Sequence, residues 1–352
     1  MEFKTQGLAA LGAELPIIQA PMVGTSTPQL AAAVSNAGGL GSLGLGGSTV
    51  AQARQLIQAT RELTAKPVNY NFFCHQPEQP AAAREQRWLQ RLAPYFAEFS
   101  APVPSDLRAG YQSFVGHQAM LEMLLDERPE VVSFHFGLPS QAFIDALKHQ
   151  GTQLLATATC VAEAQLIEQA GIDFIVAQGF EAGGHRGVFE PAQDQCLGTF
   201  ALVQQLAEVT QLPLIAAGGV MNAQGIRAAL QLGAVAVQMG TAFVLCPESS
   251  ASAAYRAALT NAAEVPTEVS ALISGRPARG LVNRWHTEIA LQDTADLPDY
   301  PIAYSAAKAL QAAASAAGNH EFSPFWAGQA ASLAQTLPAA ELLQQIRRDL
   351  EC

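Results

Sequence analysis

The chain has 352 residues, of which 49% are apolar and 14% charged, a composition typical of a folded globular protein. Acidic residues outnumber Lys plus Arg by 30 to 19, and the net charge of −11 argues against nucleic-acid binding, which needs clustered basic residues. No run of about 18 strongly apolar residues predicts a membrane span, and the N-terminal sequence does not resemble a signal peptide, so a cytoplasmic location is expected.

Eight short apolar runs alternate with helical patterns over the first 245 residues. The runs lie at 16–22, 39–45, 67–73, 131–137, 153–157, 173–178, 213–218 and 234–244. Each is apolar at consecutive positions, which is the pattern of strands buried on both faces of a parallel sheet. The helical segments begin at capping residues such as Thr27 and Asn222 and end at glycines such as Gly38. Eight strands with helical crossovers predict an α/β fold, a (β/α)8 TIM barrel.

This alternation is interrupted once and then stops. Residues 74–130 form a long excursion between the third and fourth runs, and it contains the helical segment WLQRLAPYFAEF. After residue 245 the strand pattern fades, and sequence rich in Ala, Gln and Leu continues to the end. We therefore predict a barrel over 1–245 with a helical insertion at about 74–130. A mainly helical cap or substrate domain over 246–352 follows, with its end packed back on the barrel.

Two common kinds of cofactor site are disfavoured. The five cysteines are scattered without CxxC spacing, which argues against a zinc or iron–sulfur site, and no metal is predicted. Gly39, Gly41 and Gly44 match GxGxxG, but they follow a helix and occupy a strand. A dinucleotide fingerprint instead follows a strand and opens a helix.

The segment QGFEAGGHRGVF, residues 178–189, ends the sixth strand at the face where barrel enzymes carry their active sites. Its glycines, Gly183 among them, let the backbone approach a flat ligand closely. Gln178 offers amide donors and an acceptor to a polar ring edge. His185 follows on the loop, with a pKa range suited to acid–base chemistry. A mobile glycine-rich turn with an incidental surface histidine is the alternative interpretation.

Two further glycine-containing segments end the seventh and eighth strands. AAGGV carries Gly218 and Gly219, and QMGTAF carries Gly240 and Thr241. Loops at these barrel positions commonly bind a phosphate through backbone N–H groups, although tight packing at turns also requires glycine. A phosphate pocket beside a ring-edge pocket suits a phosphorylated flat cofactor, and FMN is the predicted one.

Other strand ends supply further candidates. The APM segment ending at Met22 is expected to lie along a ring face, and Asn69, with Asn71 as the weaker alternative, to offer an amide to the cofactor. His135, in SFHFG on the fourth strand, is either a satisfied core histidine or a residue of the barrel mouth.

A possible anion site lies in the C-terminal part, in DYPIAYSAAKAL. Tyr300, Tyr304 and Lys308 follow one another at i, i+4 spacing and are therefore expected on one face of a helix. Two phenols and an ammonium on one face suit a small anion, and a solvated helix face is the ordinary alternative.

Several of these segments resemble the four signatures of class I nitronate monooxygenases. They are QAPMVGTSTPQLAAAVSNAGGLGSLG, SFHFG, QGFEAGGHRG, and LIAAGGV followed by AVQMGTAF. The resemblance covers the barrel, and the tyrosine-rich segment together with FWAGQAASLA is similar as well. The QGxEAGGH pattern is shared with two flavin-dependent groups, NADH:quinone oxidoreductases and an FMN-type enoyl-ACP reductase.

The resemblance implies non-covalent FMN in a TIM barrel that detoxifies propionate 3-nitronate or alkyl nitronates by oxidation with O2 through a flavin semiquinone. It implies that His185 is the catalytic histidine. Cofactor contacts are implied at Met22, Asn69, Gln178, Gly183, Gly219, Gln238, Met239, Gly240 and Thr241. Substrate contacts are implied at Tyr300, Tyr304 and Lys308, and His135 is a further candidate on the substrate side.

Two other functions stay open at this point. One is a reductase that takes hydride from NAD(P)H and passes it to a quinone or an enoyl thioester. The other is a non-redox, phosphate-binding lyase or isomerase, although no lysine stands at a strand end to form a Schiff base. The expected partners are a small nitronate and O2, with no nucleic acid or membrane, and the expected assembly is a monomer or homodimer.

Overall fold

Eight parallel strands form one sheet in the computed structural model of the chain, which describes residues 5–289 and 296–351. All strands in chain order are β1 Ile17–Gln19, β2 Gly41–Gly44, β3 Val68–Phe73, β4 Val131–His135, β5 Gln153–Ala158, β6 Phe174–Gln178, β7 Gly184–His185, β8 Leu214–Ala217, β9 Ala236–Met239, β10 Thr267–Ser270 and β11 Ala278–Leu281. The order in the large sheet is β1–β9–β8–β6–β5–β4–β3–β2, and a parallel bridge between Ile18 and Leu40 joins its two ends. The predicted TIM barrel is therefore confirmed.

Helices surround the barrel and continue into the C-terminal part. They are α1 Thr5–Ala10, α2 Pro28–Asn36, α3 Val50–Arg61, α4 Ala82–Glu98, α5 Gln118–Glu127, α6 Gln141–His149, α7 Val161–Gln169, α8 Thr199–Val209, α9 Ala223–Gln231, α10 Thr241–Val244, α11 Ala253–Thr260, α12 Arg284–Thr287, α13 Ile302–Ala316 and α14 Ala339–Glu351. Thr27 caps α2 by accepting a hydrogen bond from the backbone N–H of Leu30. Asn222 caps α9 in the same way. In the described ranges no helix combines the length and the apolar character that crossing a membrane requires.

The predicted apolar runs are longer than the observed strands, most clearly at the first and the last run. The run predicted at 234–244 is β9 only as far as Met239, and the backbone then turns at Gly240 into the short helix α10. Ala242, Phe243 and Val244 are buried in that helix. A short buried helix and a buried strand have the same apolar composition, so periodicity alone does not separate them. The GxGxxG match also has a structural reason, because a Cβ atom on Gly41 would lie 1.9 Å from the carbonyl oxygen of Ala31 in α2.

The excursion between β3 and β4 divides into two parts with different roles. Helix α5 packs against α3 and α6 and so completes the outer ring of the barrel. Helix α4 instead packs against α13, and together with the C-terminal segment it forms a second hydrophobic core. Trp88, Leu92 and Phe96 from α4 meet Trp285 and Phe322 there. The insertion and the C-terminal segment thus share one core, while the domain boundary at residue 245 stays a prediction.

The C-terminal segment contacts the barrel at two places. Helix α14 packs against α2 and α9 on the outside. At the carboxyl ends of the strands, β11 pairs with β10 on one side and with β7 on the other, so that Ala278 lies opposite His185. Trp326 is attached to this small antiparallel sheet through a bridge to Gly280. The segment predicted as mainly helical therefore also contributes strands, and these strands hold the loop that follows β6.

Candidate active site

The carboxyl ends of the barrel strands open into a large cavity. Its volume is about 1370 Å³, including the part that is open to solvent. Its wall combines strand ends of the barrel with Tyr111 from the insertion and with Tyr255, Tyr300 and Trp326 from the C-terminal part. A concave space lined by both parts of the chain is the usual setting of a small-molecule site.

Most of the predicted site residues lie in the wall of this one cavity. They are Met22, His135, Gln178, Gly183, His185, Gly218, Gly219, Gln238, Gly240, Thr241, Tyr300 and Tyr304. They are far apart in the sequence and come together because the carboxyl ends of parallel barrel strands meet at one face.

Three predicted residues lie elsewhere. Asn69 is fully buried inside the barrel, where its amide donates to the Ser42 hydroxyl at 3.1 Å. Asn71, two residues nearer the carboxyl end of β3, lines the cavity, so the amide at the wall is that of Asn71 instead of Asn69. Met239 is 1% exposed and follows Gln238, whose side chain points to the opposite face because strand residues alternate. Lys308 is exposed on α13 and reaches the cavity only through a partner.

That partner is a tyrosine which the sequence patterns did not single out. The ammonium of Lys308 donates to the Tyr111 hydroxyl at 2.6 Å and lies 4.4 Å from the centre of its ring. It is also 4.8 Å from the ring centre of Tyr304. The predicted stripe is corrected in one respect, because Tyr300 precedes α13 and is buried, whereas Tyr304 and Lys308 are on the helix. The three tyrosine rings nevertheless converge, with Tyr111 6.3 Å from Tyr300 and 6.0 Å from Tyr304.

A cradle of backbone groups forms the opposite part of the cavity. Gly218 and Gly219 have φ of 112° and 72°, a region that side-chain-bearing residues rarely adopt. A Cβ atom on Gly218 would lie 3.0 Å from the backbone nitrogen of Ala182, and one on Gly183 would lie 2.5 Å from that of Gly328. These close approaches leave backbone atoms, not side chains, at the surface of the cradle.

A carboxylate beside this cradle is neutralised by a helix. Glu181 accepts hydrogen bonds from the backbone nitrogen of Thr199 at 2.7 and 3.0 Å and from its hydroxyl at 2.9 Å. Thr199 is the first residue of α8, and negative charge is favourable at a helix N-terminus. The carbonyl oxygen of Glu181 also accepts from the backbone of Gln329, which joins the β6 loop to the C-terminal segment.

The backbone of His185 is held by two side chains of the barrel. Its carbonyl oxygen lies 3.0 Å from the amide nitrogen of Gln178, which donates to it, and 3.2 Å from Nε2 of His135. The Gln178 oxygen accepts from the backbone of Gly187 at 2.7 Å and from Arg186 at 3.3 Å, which fixes the orientation of the amide. Because a carbonyl oxygen only accepts, His135 must carry its proton on Nε2.

The ring of His185 is held in one tautomer by a serine. Its Nε2 lies 2.8 Å from the Ser274 hydroxyl, which itself donates to the carbonyl oxygen of Arg276 at 3.1 Å. With the hydroxyl proton directed to that carbonyl oxygen, His185 donates through Nε2. Nδ1 then carries a free lone pair. Burial, followed by the charges of His135 and Arg276, lowers the pKa of His185 to about 3, so the ring is neutral.

His135 satisfies both interpretations left open by the sequence. It lines the cavity, yet Nδ1 accepts from the Thr157 hydroxyl at 3.0 Å while Nε2 donates to the carbonyl of His185. Burial lowers its pKa to about 4. Both ring nitrogens are thus engaged, and His135 acts on the site by fixing its neighbour.

No grouping of three or more His, Cys, Asp or Glu side chains suited to a metal ion occurs within residues 5–289 and 296–351. The polar groups of the cavity include backbone amides, side-chain amides, hydroxyls, imidazoles and phenols. A barrel with such a cavity at the carboxyl ends of its strands is the architecture of a barrel enzyme that binds organic ligands.

Comparison with known proteins agrees with that class. The family model for nitronate monooxygenase matches residues 5–349. A nitronate monooxygenase of Pseudomonas aeruginosa is 56% identical over 341 residues, which is 97% of each chain, and one of Paraburkholderia phytofirmans is 54% identical over 98% of this chain and 94% of the relative. The chain belongs to the nitronate monooxygenase family and is an enzyme of that family.

Solved structures show the same relationship. A nitroalkane oxidase from Streptomyces ansochromogenes superimposes with a TM-score of 0.89 at 38% identity over 98% of each chain. FabK from Thermotoga maritima superimposes with a TM-score of 0.75 at 28% identity, covering all of this chain and 96% of its own. The likeness therefore extends over the C-terminal segment as well as the barrel.

A buried histidine lies next to Tyr300. His75 is 1% exposed, and both of its ring nitrogens are buried without a hydrogen-bond partner among the described residues. Its ring centre is 4.9 Å from that of Tyr300 and 6.4 Å from that of Phe136. Burial, followed by the charge of Arg276, lowers the pKa of His75 to about 4. The folded protein therefore holds this imidazole neutral.

Replacing His75 by phenylalanine should change how stability depends on pH. As the pH falls below about 6.5, the unfolded chain protonates its histidine while the folded chain does not, so wild type loses about 2 kcal/mol of unfolding free energy from this residue between pH 7 and pH 5. The difference between His75→Phe and wild type should therefore move in favour of the variant by that amount. Urea denaturation at both pH values measures it, with His149→Phe at an exposed position of α6 as the control. An equal movement in both variants would contradict the assignment.

Proposed function

We propose that the chain oxidises nitronates with O2, using FMN bound in the cavity. One observation carries this proposal. A backbone cradle and a neutral histidine lie in the same cavity, in a chain that belongs to the nitronate monooxygenase family. The cavity offers the cradle and the side lined by His185, Tyr300 and Tyr304 as separate surfaces for a cofactor and a substrate. FMN and O2 are part of the proposal, and the family relationship supports both.

The cradle fits the phosphate of FMN. Gly218, Gly219, Gly240 and Thr241 present backbone at the ends of β8 and β9, and the glycines have no side chain that would keep an anion away. Glu181 is the nearest acid, and its charge is already engaged by the N-terminus of α8. Backbone N–H groups at such loops are a common phosphate site in barrel enzymes.

The wall between the cradle and the histidines fits the ring system of a flavin. Gln178, whose oxygen is already held by Gly187, and Gln238 line it with amides. Asn71 adds a third from the other side of the barrel, with its amide nitrogen donating to Ser133. The Sδ atom of Met22 would lie 3.8 Å from a Cβ atom on Gly240, so this side chain lies beside the cradle. When bound, FMN would supply the redox chemistry, and the chain would position the reactants.

The substrate would bind on the histidine side, against His185 and the tyrosines. Burial raises the pKa of Tyr111 to about 12 and that of Tyr304 further, so both phenols stay protonated and donate hydrogen bonds. The ammonium of Lys308 adds positive charge at the edge of this region. Protonated donors and a cation stabilise an anionic nitro group and a carboxylate.

The overall reaction balances as two nitronate anions and one O2 giving two aldehydes and two nitrite ions. In each nitronate the C=N bond breaks and a C=O bond forms, and O2 takes four electrons, two from each substrate. A nitronate has no proton to lose, so its oxidation does not need a base. A neutral nitroalkane must first lose a proton from carbon, and Nδ1 of His185 is a free acceptor in the cavity, although the burial that lowers its pKa also weakens it as a base.

The test of the function is oxygen consumption by the purified protein with propionate 3-nitronate and without NADH. Rapid O2 uptake with release of nitrite is expected, and denaturation should release FMN, identified by mass spectrometry. No uptake, together with oxidation of NADH on addition of a quinone or an enoyl thioester, would replace this function by a reductase. A colourless protein without flavin would remove FMN from the proposal.

His185→Asn should separate the two chemical tasks. Because the variant loses the proton acceptor, kcat/KM for a neutral nitroalkane is expected to fall by about 100-fold or more. The same ratio for the corresponding nitronate should change by less than about 10-fold. Steady-state oxygen consumption with both compounds measures this, and His149→Asn on the outside of α6 serves as the control. Undiminished activity on every nitro compound would contradict a catalytic role for His185.

Lys308→Met should discriminate between substrates that differ in a carboxylate. Losing a charge-assisted hydrogen bond costs about 1.5–3 kcal/mol, so KM for propionate 3-nitronate is expected to rise by about 10-fold or more. KM for ethyl nitronate, which has no carboxylate, should stay nearly unchanged. The methionine retains most of the apolar packing on Tyr111 and Tyr304. Equal changes for both substrates would assign Lys308 a structural role.

A further inference from the structure

Arg276 is a buried cation next to the candidate active site, immediately before β11. It is 5% exposed, and its guanidinium donates to the carbonyl oxygens of Val188 and, at 3.3 Å, Phe189. The guanidinium carbon lies 4.5 Å from the ring centre of Phe136. Its Nε is buried without a hydrogen-bond partner among the described residues.

The charge of Arg276 is not balanced by a nearby carboxylate. Within the part of the chain that the structure describes, no Asp or Glu oxygen lies within 4.0 Å of it. Arg186, which is equally buried, shows the usual solution, because it forms two hydrogen bonds to Asp194 at 2.8 and 3.1 Å. Burying an unpaired charge costs several kcal/mol, so a cation retained in this state is a candidate for a functional role.

The nearest acids do not neutralise Arg276 directly. Glu163 and Glu190 raise its pKa only through longer-range attraction, against a larger lowering by burial. The Glu163 carboxylate is already used, because it accepts from Thr159 at 2.6 and 2.8 Å and from the backbone of Phe189 at 2.7 Å. The positive field of the guanidinium therefore extends toward the cavity.

The ring of Phe136 separates the guanidinium from the titratable groups of the cavity. Its centre lies 4.5 Å from that of His135, 5.7 Å from that of His185 and 5.3 Å from that of Tyr300. An aromatic ring offers no dipoles that reorient, so it screens the charge poorly. Arg276 also contacts the same histidine through its main chain, since its carbonyl oxygen accepts the Ser274 proton and Ser274 accepts from His185.

We propose that Arg276 is a positioning residue for His185: its side-chain charge adds to burial in keeping the ring neutral, and its main-chain carbonyl oxygen, through Ser274, keeps the ring in the Nε2–H tautomer with the Nδ1 lone pair free. Its unpaired charge opposes a second positive charge on the ring, and its carbonyl oxygen fixes the proton of Ser274. The same charge favours an anionic ligand in the cavity. This inference rests on the proposed function of His185.

Among the described residues, the other groups that face His185 carry no negative charge that would offset the positive charge of Arg276. From β4 comes His135, which is neutral and donates to the backbone of His185. From the C-terminal part come Tyr300 and Tyr304, at 5.5 and 6.3 Å between ring centres, and the apolar face of Trp326 at 5.3 Å. Burial raises the pKa of both tyrosines, so they are uncharged. The histidine, the two tyrosines and the tryptophan are thus uncharged, and Arg276 carries the charge next to them.

The test is histidine-selective ¹⁵N NMR of the holoenzyme without substrate, with the His185 signals assigned by their loss in His185→Asn. Wild type should show neutral His185 with the proton on Nε2 down to pH 5. In Arg276→Met the pKa of His185 should rise by about one unit, which gives about tenfold more imidazolium at a given pH. Arg276→Lys, which retains the charge, should restore the wild-type protonation.

A purely structural role predicts a different pattern. In that case Arg276→Met and Arg276→Lys would alter the spectrum alike, and this result would overturn the proposal, as would an unchanged His185 in Arg276→Met. If Arg276→Met does not fold, Arg276→Gln keeps a donor for the carbonyl of Val188 without the charge and is expected to show the same increase. The NMR measurement does not depend on turnover. A wild-type enzyme that is inactive on nitronates would therefore overturn the proposed function while leaving this test decisive.

Discussion

The short strand β7 joins the barrel to the C-terminal segment at the cavity, and the barrel holds it through the carbonyl oxygen of His185. Gln178 and His135 donate to it from two barrel strands, while the same short strand β7 pairs with β11 from the C-terminal part. A glycine-rich loop pays a large entropy penalty when it is ordered, and these bonds on both sides offset it. The loop therefore behaves as a piece of regular structure, and both halves of the cavity take their positions from it.

The electrostatic character of the cavity follows from the burial of titratable side chains that have no partner of opposite charge. His75, His135 and His185 are all kept neutral because desolvation disfavours their charged form, and Arg276 adds to that effect. Carboxylates near the site are already engaged, as Glu181 is at the N-terminus of α8. What remains is a field of positive sign, carried by Arg276 and Lys308 in a chain of net charge −11. Anionic ligands are thus favoured locally against the charge of the whole molecule.

The sequence predicted the barrel and most of the cavity wall, because both depend on local patterns. Strand runs, capping residues and glycines at strand ends are readable along the chain, and the carboxyl ends of parallel strands must converge. It did not reveal Tyr111, Ser274 or Arg276, whose positions depend on tertiary contacts between distant segments. Asn69 and Asn71 show the limit most clearly. Both side chains point into the barrel because they are two residues apart on β3. Which of them reaches the cavity depends on how far along the strand the cavity begins, and a sequence pattern does not give that position.

The packing of α4 against α13 has a consequence for how the chain is made. Lys308 and Tyr111 are separated by 197 residues in the sequence. Trp88 and Phe322, which share the second hydrophobic core, lie still farther apart in the sequence. Domains fold from the N-terminus during synthesis, so α4 leaves the ribosome with its apolar face uncovered while the barrel strands are still being added. The loops after β8 and β9 are complete before Tyr300 and Tyr304 are synthesised. Until the C-terminal segment is synthesised, the nascent chain therefore exposes the aromatic side chains of α4. We expect its need for chaperones to be greatest at that stage.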